Sequence, residues 1–211
     1  MSMQTNEVTP IETERWHGLR DARIEYTETV SEVYDEVLQT VSARFVHEGS
    51  IGKAEIGGLL LWKRLRADTK WSRKLMDVPD AVVRHHTSTA YVAANDESLP
   101  TDEAAAAARS ALGALPGFKT GDALASAVLV AAAPERLAVY DRRAHRGLGL
   151  LGFDLKSSRG RYGRYMRLIE DLRSLASVHG ESWKARDVDL ALYWLGGKPS
   201  ESQALPDKET Q

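Results

Sequence analysis

The chain has 211 residues, 43% of them hydrophobic, which is enough to bury one sizeable core and makes a single compact domain the expectation. It contains no cysteine, which excludes disulfides, thiolate zinc sites and iron–sulfur clusters, so no metal or other cofactor is expected and any metal would need His or carboxylate ligands. A formal charge of -2 gives no general pull on polyanions, yet residues 51–75 hold seven Lys/Arg against two acids and 141–173 hold nine against four, while 1–50 hold ten Asp/Glu against four Lys/Arg. The two basic segments are either solvated helix faces or tracks for a polyanion.

MSMQTNEVTPIETE has neither the basic start nor the apolar centre of a signal peptide, and no apolar run nears the roughly 20 residues of a membrane span. A cytoplasmic protein with no membrane segment is the expectation. Residues 1–10 and the polar tail 198–211 are expected to be disordered, leaving 11–197 as the folded unit. Within it the apolar spacing is helical almost throughout. In YTETVSEVYDEVLQTVSARFV the residues Val30, Val33, Tyr34, Val37, Leu38, Val41 and Phe45 recur at three and four, predicting one continuous helix. Ser50 is placed to cap a second, IGKAEIGGLLLWKRL, whose basic end complements the helix dipole. WSRKLMDVP reads as a short helix, and Asp80 and Thr101 are candidate caps for the next two, the second of which is alanine-rich TDEAAAAARSALGAL.

GDALASAVLVAAA follows the turn LPGFKT and is stopped by Pro134. A short connection leads to Asp141 and the basic DRRAHRGLGLLG. Arg161 to Val178 carries a stripe of Tyr162, Tyr165, Met166, Leu168, Ile169, Leu172 and Leu175, and Asp187 opens a last helix ended by Gly196. No hairpin of strands and no repeat is read. The fold class is therefore all-α.

The chemistry centres on residues 102–141. A Pro-Gly turn between two helices presents the free N–H groups of the second helix, which with the helix dipole make an anion site suited to a DNA phosphate. Gly117 and Gly121 would admit the phosphate to the main chain, Phe118 is the apolar member of the turn, and Lys119 and Thr120 add a charge and a hydroxyl. The same residues equally make an ordinary turn between helices. Asp141 stands at a helix start beside Arg142, Arg143 and Arg146, where it serves as a cap, as a reactive carboxylate, or as both. His85 and His86 are adjacent and point apart, so they are no metal pair.

This order of Leu115, Pro116, Gly117, apolar Phe118, a helix from Ala123 to Leu129, and Val139-Tyr140-Asp141 resembles the helix–hairpin–helix DNA glycosylases, the family of endonuclease III and the 8-oxoguanine glycosylases. The likeness covers about 35 residues. It implies a hairpin over about 102–133, duplex DNA as partner, no cofactor, and a monomer that flips a modified or mispaired base out of the stack and releases it. Asp141 would stabilise the positive charge developing on the sugar and orient or deprotonate water. Contacts to DNA would come from residues 117–121 and from Arg142, Arg143 and Arg146, and Trp62, Trp71 and Tyr91 would wall the base pocket. Two departures stand out: Lys119 replaces the second hairpin glycine, and Gly121 occupies the position of the lysine that lyase-competent members carry. The resemblance therefore implies a monofunctional glycosylase, with Lys119 and Lys53 as remote substitutes for that lysine. The alternative is a scaffold that has lost catalysis and keeps DNA binding or protein interaction.

Overall fold

The computed structural model describes residues 9–198 and, among them, ten α-helices and no strand. They are α1 (Pro10–Thr29), α2 (Glu36–Glu48), α3 (Lys53–Trp62), α4 (Lys70–Met76), α5 (Asp80–Ala94), α6 (Thr101–Ala111), α7 (Ala123–Ala132), α8 (Arg142–Leu150), α9 (Arg161–Val178) and α10 (Ala185–Leu195), with single 3₁₀ turns at Glu32–Asp35 and Leu112–Ala114. The expected tails lie mostly outside the described residues. Thr9 and Pro10 do not belong to a tail: Thr9 and Glu12 form a reciprocal capping box that starts α1.

The core forms around α7. Leu124 to Ala132 are buried without exception, because the sequence offers no polar face and Ser126 is satisfied internally. α2, α3, α5 and α6 pack on it. A second group, α1, α8, α9 and α10, completes the molecule, with α9 laid against α6 and with the first and last helices side by side. Two glycines set the closest of these approaches. A Cβ at Gly147 in α8 would overlap the Leu192 carbonyl of α10, and one at Gly196 would overlap the carbonyl of Arg143, so here backbone packs on backbone.

Several starts and stops differ from the sequence reading. The helix expected from Tyr26 to Phe45 is broken, because Val30 and Ser31 are extended and α1 ends with the Val30 amide on the Tyr26 carbonyl. α3 is not capped by Ser50. Gly52 is its cap residue, and the Lys53 amide is taken at 2.8 Å by Asp80, the first residue of another helix. Asp80 thus caps α3 across space rather than α5, whose N-cap is Pro79, and Thr101 likewise sits inside α6 after Pro100. For Asp80 the reason is tertiary: its carboxylate caps the exposed amide that the fold brings to it.

One segment between helices is buried. Residues 137–140 run extended through the core, where unpaired backbone groups would be costly. Each neighbouring helix supplies a partner. From α7, Ser126 accepts the Tyr140 amide at 2.9 Å; from α9, the hydroxyls of Tyr162 and Tyr165 donate to the carbonyls of Ala138 and Val139, both at 2.9 Å; from α10, Asp189 accepts the Val139 amide at 2.7 Å.

Gly147→Ala is expected to cost about 1–3 kcal/mol in urea unfolding, because the added methyl forces α8 and α10 apart. Gly57→Ala, on an exposed helical position with open space around it, is expected to stabilise by about 0.5–1 kcal/mol. Equal effects at the two sites would remove Gly147 from the packing account.

Candidate functional site

Asp141 ends the extended segment and begins α8, and its two oxygens do different things. Oδ1 accepts the amides of Arg143 and Ala144, both at 2.9 Å, as a helix cap. Oδ2 accepts from Nζ of Lys63 at 2.7 Å. The carboxylate is 18% exposed and the lysine 12%. Burial works to raise the Asp141 pKa, but the Lys63 ammonium and the two amides outweigh it and hold the carboxyl below its ordinary value. Lys63 is the residue after α3, and Arg64 beyond it adopts a left-handed conformation with φ 52°, closing the helix end as a glycine usually does. Nζ also lies 5.8 Å and 5.7 Å from the ring centres of Trp62 and Tyr193, between which it is held.

Asp141 borders a cavity of about 30 Å³ whose wall includes Tyr34, Trp62, Lys63, Arg186, Asp189 and Tyr193. Trp62 donates its indole N–H to Asp35, and Arg143 bonds the Tyr193 hydroxyl at 2.8 Å while lying over the same ring. Burial pushes the Asp189 carboxyl up to about 6 against the pull of Arg186 and of the Val139 amide.

The turn between α6 and α7 is the second feature. Leu115–Phe118 closes with the Phe118 amide on the Leu115 carbonyl at 3.1 Å, with Pro116 and a positive φ of 90° at Gly117, as a type II turn requires. Beyond it none of the seven amides from Lys119 to Ala125 finds an acceptor among the described residues. Asp122, the N-cap residue of α7, does not take them, because its carboxylate is drawn sideways between Arg109 at 3.0 Å and Arg161 at 2.8 Å. Residues 119–122 of this run border an open cleft of about 600 Å³ formed with Ser157, Ser158, Arg159 and the start of α9, whereas Leu124 and Ala125 are buried. Asp122 is the acid in that lining, against Lys119, Arg109, Arg159 and Arg161.

The expected site residues separate into groups. Lys119, Thr120 and Gly121 are exposed on the cleft, and a Cβ at Gly121 would meet nothing within 4 Å. Gly117 is different, since a Cβ there would run into the Trp71 ring, so its missing side chain serves packing and leaves no room for a phosphate. Phe118 is wholly buried and belongs to the core. Arg142, Arg143 and Arg146 are exposed on α8. Trp62 lines the Asp141 cavity, whereas Trp71 lies beneath the turn and Tyr91 stacks on Phe45 with ring centres 5.5 Å apart. Lys53 donates to the carbonyls of Met76 and Val78, which leaves Lys63 as the amine beside Asp141. Sequence reasoning took Lys63 for a backbone-tracking charge and passed over Arg186 and Asp189. No spacing rule could connect Lys63 to a residue 78 positions away.

No protein-family model, curated protein or solved structure matches the chain. Among the described residues no helix is long and apolar enough to cross a membrane, and no three His, Asp or Glu residues are grouped to hold a metal ion.

Because the folded Asp141 carboxyl sits below its unfolded value, its stabilisation is fully present above the ordinary carboxylate pKa and is lost as pH falls through the lowered one. Asp141→Asn is therefore expected to lose about 1.5–3 kcal/mol at pH 7. The gap to the natural protein should be constant above about pH 5 and close below about pH 4. A gap independent of pH down to acid unfolding would show that Asp141 carries no charge-dependent stabilisation.

Proposed function

We propose that the protein grips duplex DNA through the 115–125 hairpin and releases a modified or mispaired base at Asp141 by hydrolysis of the N-glycosidic bond. The observation that carries the DNA partner is a basic cleft lined by residues 119–122, whose four amides have no acceptor among the described residues and are donors open to phosphate oxygens. The helix–hairpin–helix resemblance supplies the reaction class. Asp141 suits the role it implies: one oxygen is spent on holding α8, and the residue borders a cavity walled partly by aromatic rings. An ionised carboxylate there would stabilise positive charge developing at the sugar.

The cavity at rest is far smaller than a base, so admission of an everted nucleotide requires the Lys63 and Tyr193 side chains to swing aside. Gly121 brings no amine to the hairpin, and the Lys63 ammonium is engaged by the carboxylate, so the reading is hydrolytic. Duplexes carrying a panel of damaged bases, cleaved afterwards with alkali, are expected to reveal abasic sites, and borohydride is expected to trap no covalent adduct. Asp141→Asn should reduce release by at least on the order of 10²-fold with little change in DNA affinity. No abasic product on any substrate would overturn the catalytic part.

A second reading, a DNA-binding module without catalysis, is favoured by the same carboxylate being occupied by two amides and an ammonium. Under either reading, Lys119→Ala should flatten the dependence of log K on log salt by about one unit. Binding that ignores salt would remove DNA as the partner.

A further inference from the structure

Residues 119–122 line one side of the large cleft, and the loop 157–160 between α8 and α9 lines the other. That loop belongs to no helix, yet it is firmly held. Arg164, in the first turn of α9, donates from one terminal nitrogen to the Arg159 carbonyl at 2.7 Å. Its other terminal nitrogen donates to the carbonyls of Lys156 and Ser158 at 3.0 Å and 3.1 Å and to Ser158 Oγ at 2.8 Å. Arg161 ties the loop to the opposite side of the cleft, because Nε donates to Asp122 at 2.8 Å and Nη1 to Ser157 Oγ at 2.7 Å. Each serine oxygen accepts from an arginine, which leaves its O–H to donate elsewhere.

The charge along this cleft is one-sided. Arg109 and Arg161 share Asp122, whereas Lys119 on one side and Arg159 on the other have no acid within ion-pair distance among the described residues. Arg159 is exposed, and its side chain makes no hydrogen bond among those residues. Like charges gathered in this way repel one another, a cost that a bound polyanion removes. The volume of about 600 Å³ lies within the roughly 300–1,000 Å³ that pockets for whole small molecules span, which is more than one phosphate fills.

We propose that the 157–160 loop is a second phosphate-binding wall, so that the cleft takes a stretch of one DNA strand gripped from both sides. One phosphate sits on Lys119 and the amides of 119–122, and another on Arg159 and the hydroxyls of Ser157 and Ser158. The inference rests on the DNA reading above and extends it to residues that lie outside the hairpin resemblance. Contacts of this kind hold the backbone and carry no base preference, so damaged and undamaged duplexes depend on the loop equally.

The experiment is a titration of a fluorescently labelled, undamaged duplex with the full chain, read by anisotropy between about 50 and 200 mM salt. Arg159→Ala is expected to flatten the dependence of log K on log salt by about one unit and to weaken binding about five- to tenfold at about 0.1 M salt. The double variant Lys119→Ala/Arg159→Ala should flatten it by about two units. Arg20→Ala serves as the control for bulk charge: Arg20 is exposed on α1, one turn beyond Trp16, which stacks on His179 at the far end of α9 from the cleft. It should leave the slope unchanged.

A natural slope in Arg159→Ala, with a flattened one in Lys119→Ala, overturns the second wall and leaves the DNA reading standing. Equal flattening by Arg159→Ala and Arg20→Ala reduces the effect to net charge and overturns it as well. A double variant no worse than either single one shows that both cations meet the same phosphate, which overturns the two-sided grip. Binding by the natural protein that ignores salt, or no binding, brings down the DNA reading itself.

Discussion

The structure depends on how an extended, buried segment is made tolerable in an all-helical core. Residues 137–140 have neither helix nor sheet to satisfy their backbone, and an unpaired buried amide or carbonyl costs about as much as a lost hydrogen bond. Four side chains from three helices answer for it: Ser126, Asp189, Tyr162 and Tyr165. Burial raises the hydroxyl pKa values of both tyrosines well above the ordinary one, which keeps them protonated as donors. The segment is thereby fixed at the amides of Val139 and Tyr140 and at the carbonyls of Ala138, Val139 and Tyr140, and Asp141 is its next residue.

The position of Asp141 sets opposing demands on one carboxylate. Capping α8 needs Oδ1, and neutrality in a site this buried needs a cation, which Lys63 supplies from α3. A carboxylate so well paired is stable and correspondingly hard to redirect toward a sugar. The balance between the two uses is set by Lys63, which is tethered by a helix end whose closing residue, Arg64, is in a conformation arginine adopts at a cost.

What the sequence made legible was whatever lies within a helix or turn of itself. The stripe from Arg161 to Val178 coincides with α9, Pro134 ends α7 within two residues, and Asp141 caps α8 because an aspartate before a basic helix has little else to do locally. The turn at Leu115–Phe118 was readable from Pro-Gly alone. What escaped was set by distance in space. Asp80 caps a helix 27 residues upstream, Gly117 lacks a side chain because Trp71 needs the volume, and Phe118 looks like a turn residue and is a core residue. The break at Val30–Ser31 defeated a continuous apolar stripe: spacing of three and four carries across two extended residues and a 3₁₀ turn, while Val33, counted in the stripe, is exposed.

One side chain also reaches both the cleft and the segment that leads to Asp141. Arg161 opens α9 and holds Asp122 with its guanidinium, which lies 4.8 Å from the ring centre of Tyr140, the residue before Asp141. Diverting Asp122 toward two arginines leaves the α7 amides free, and the same arginine covers the last buried residue of the extended segment. Arg161 thus touches both the residue that precedes α7 and the residue that precedes Asp141.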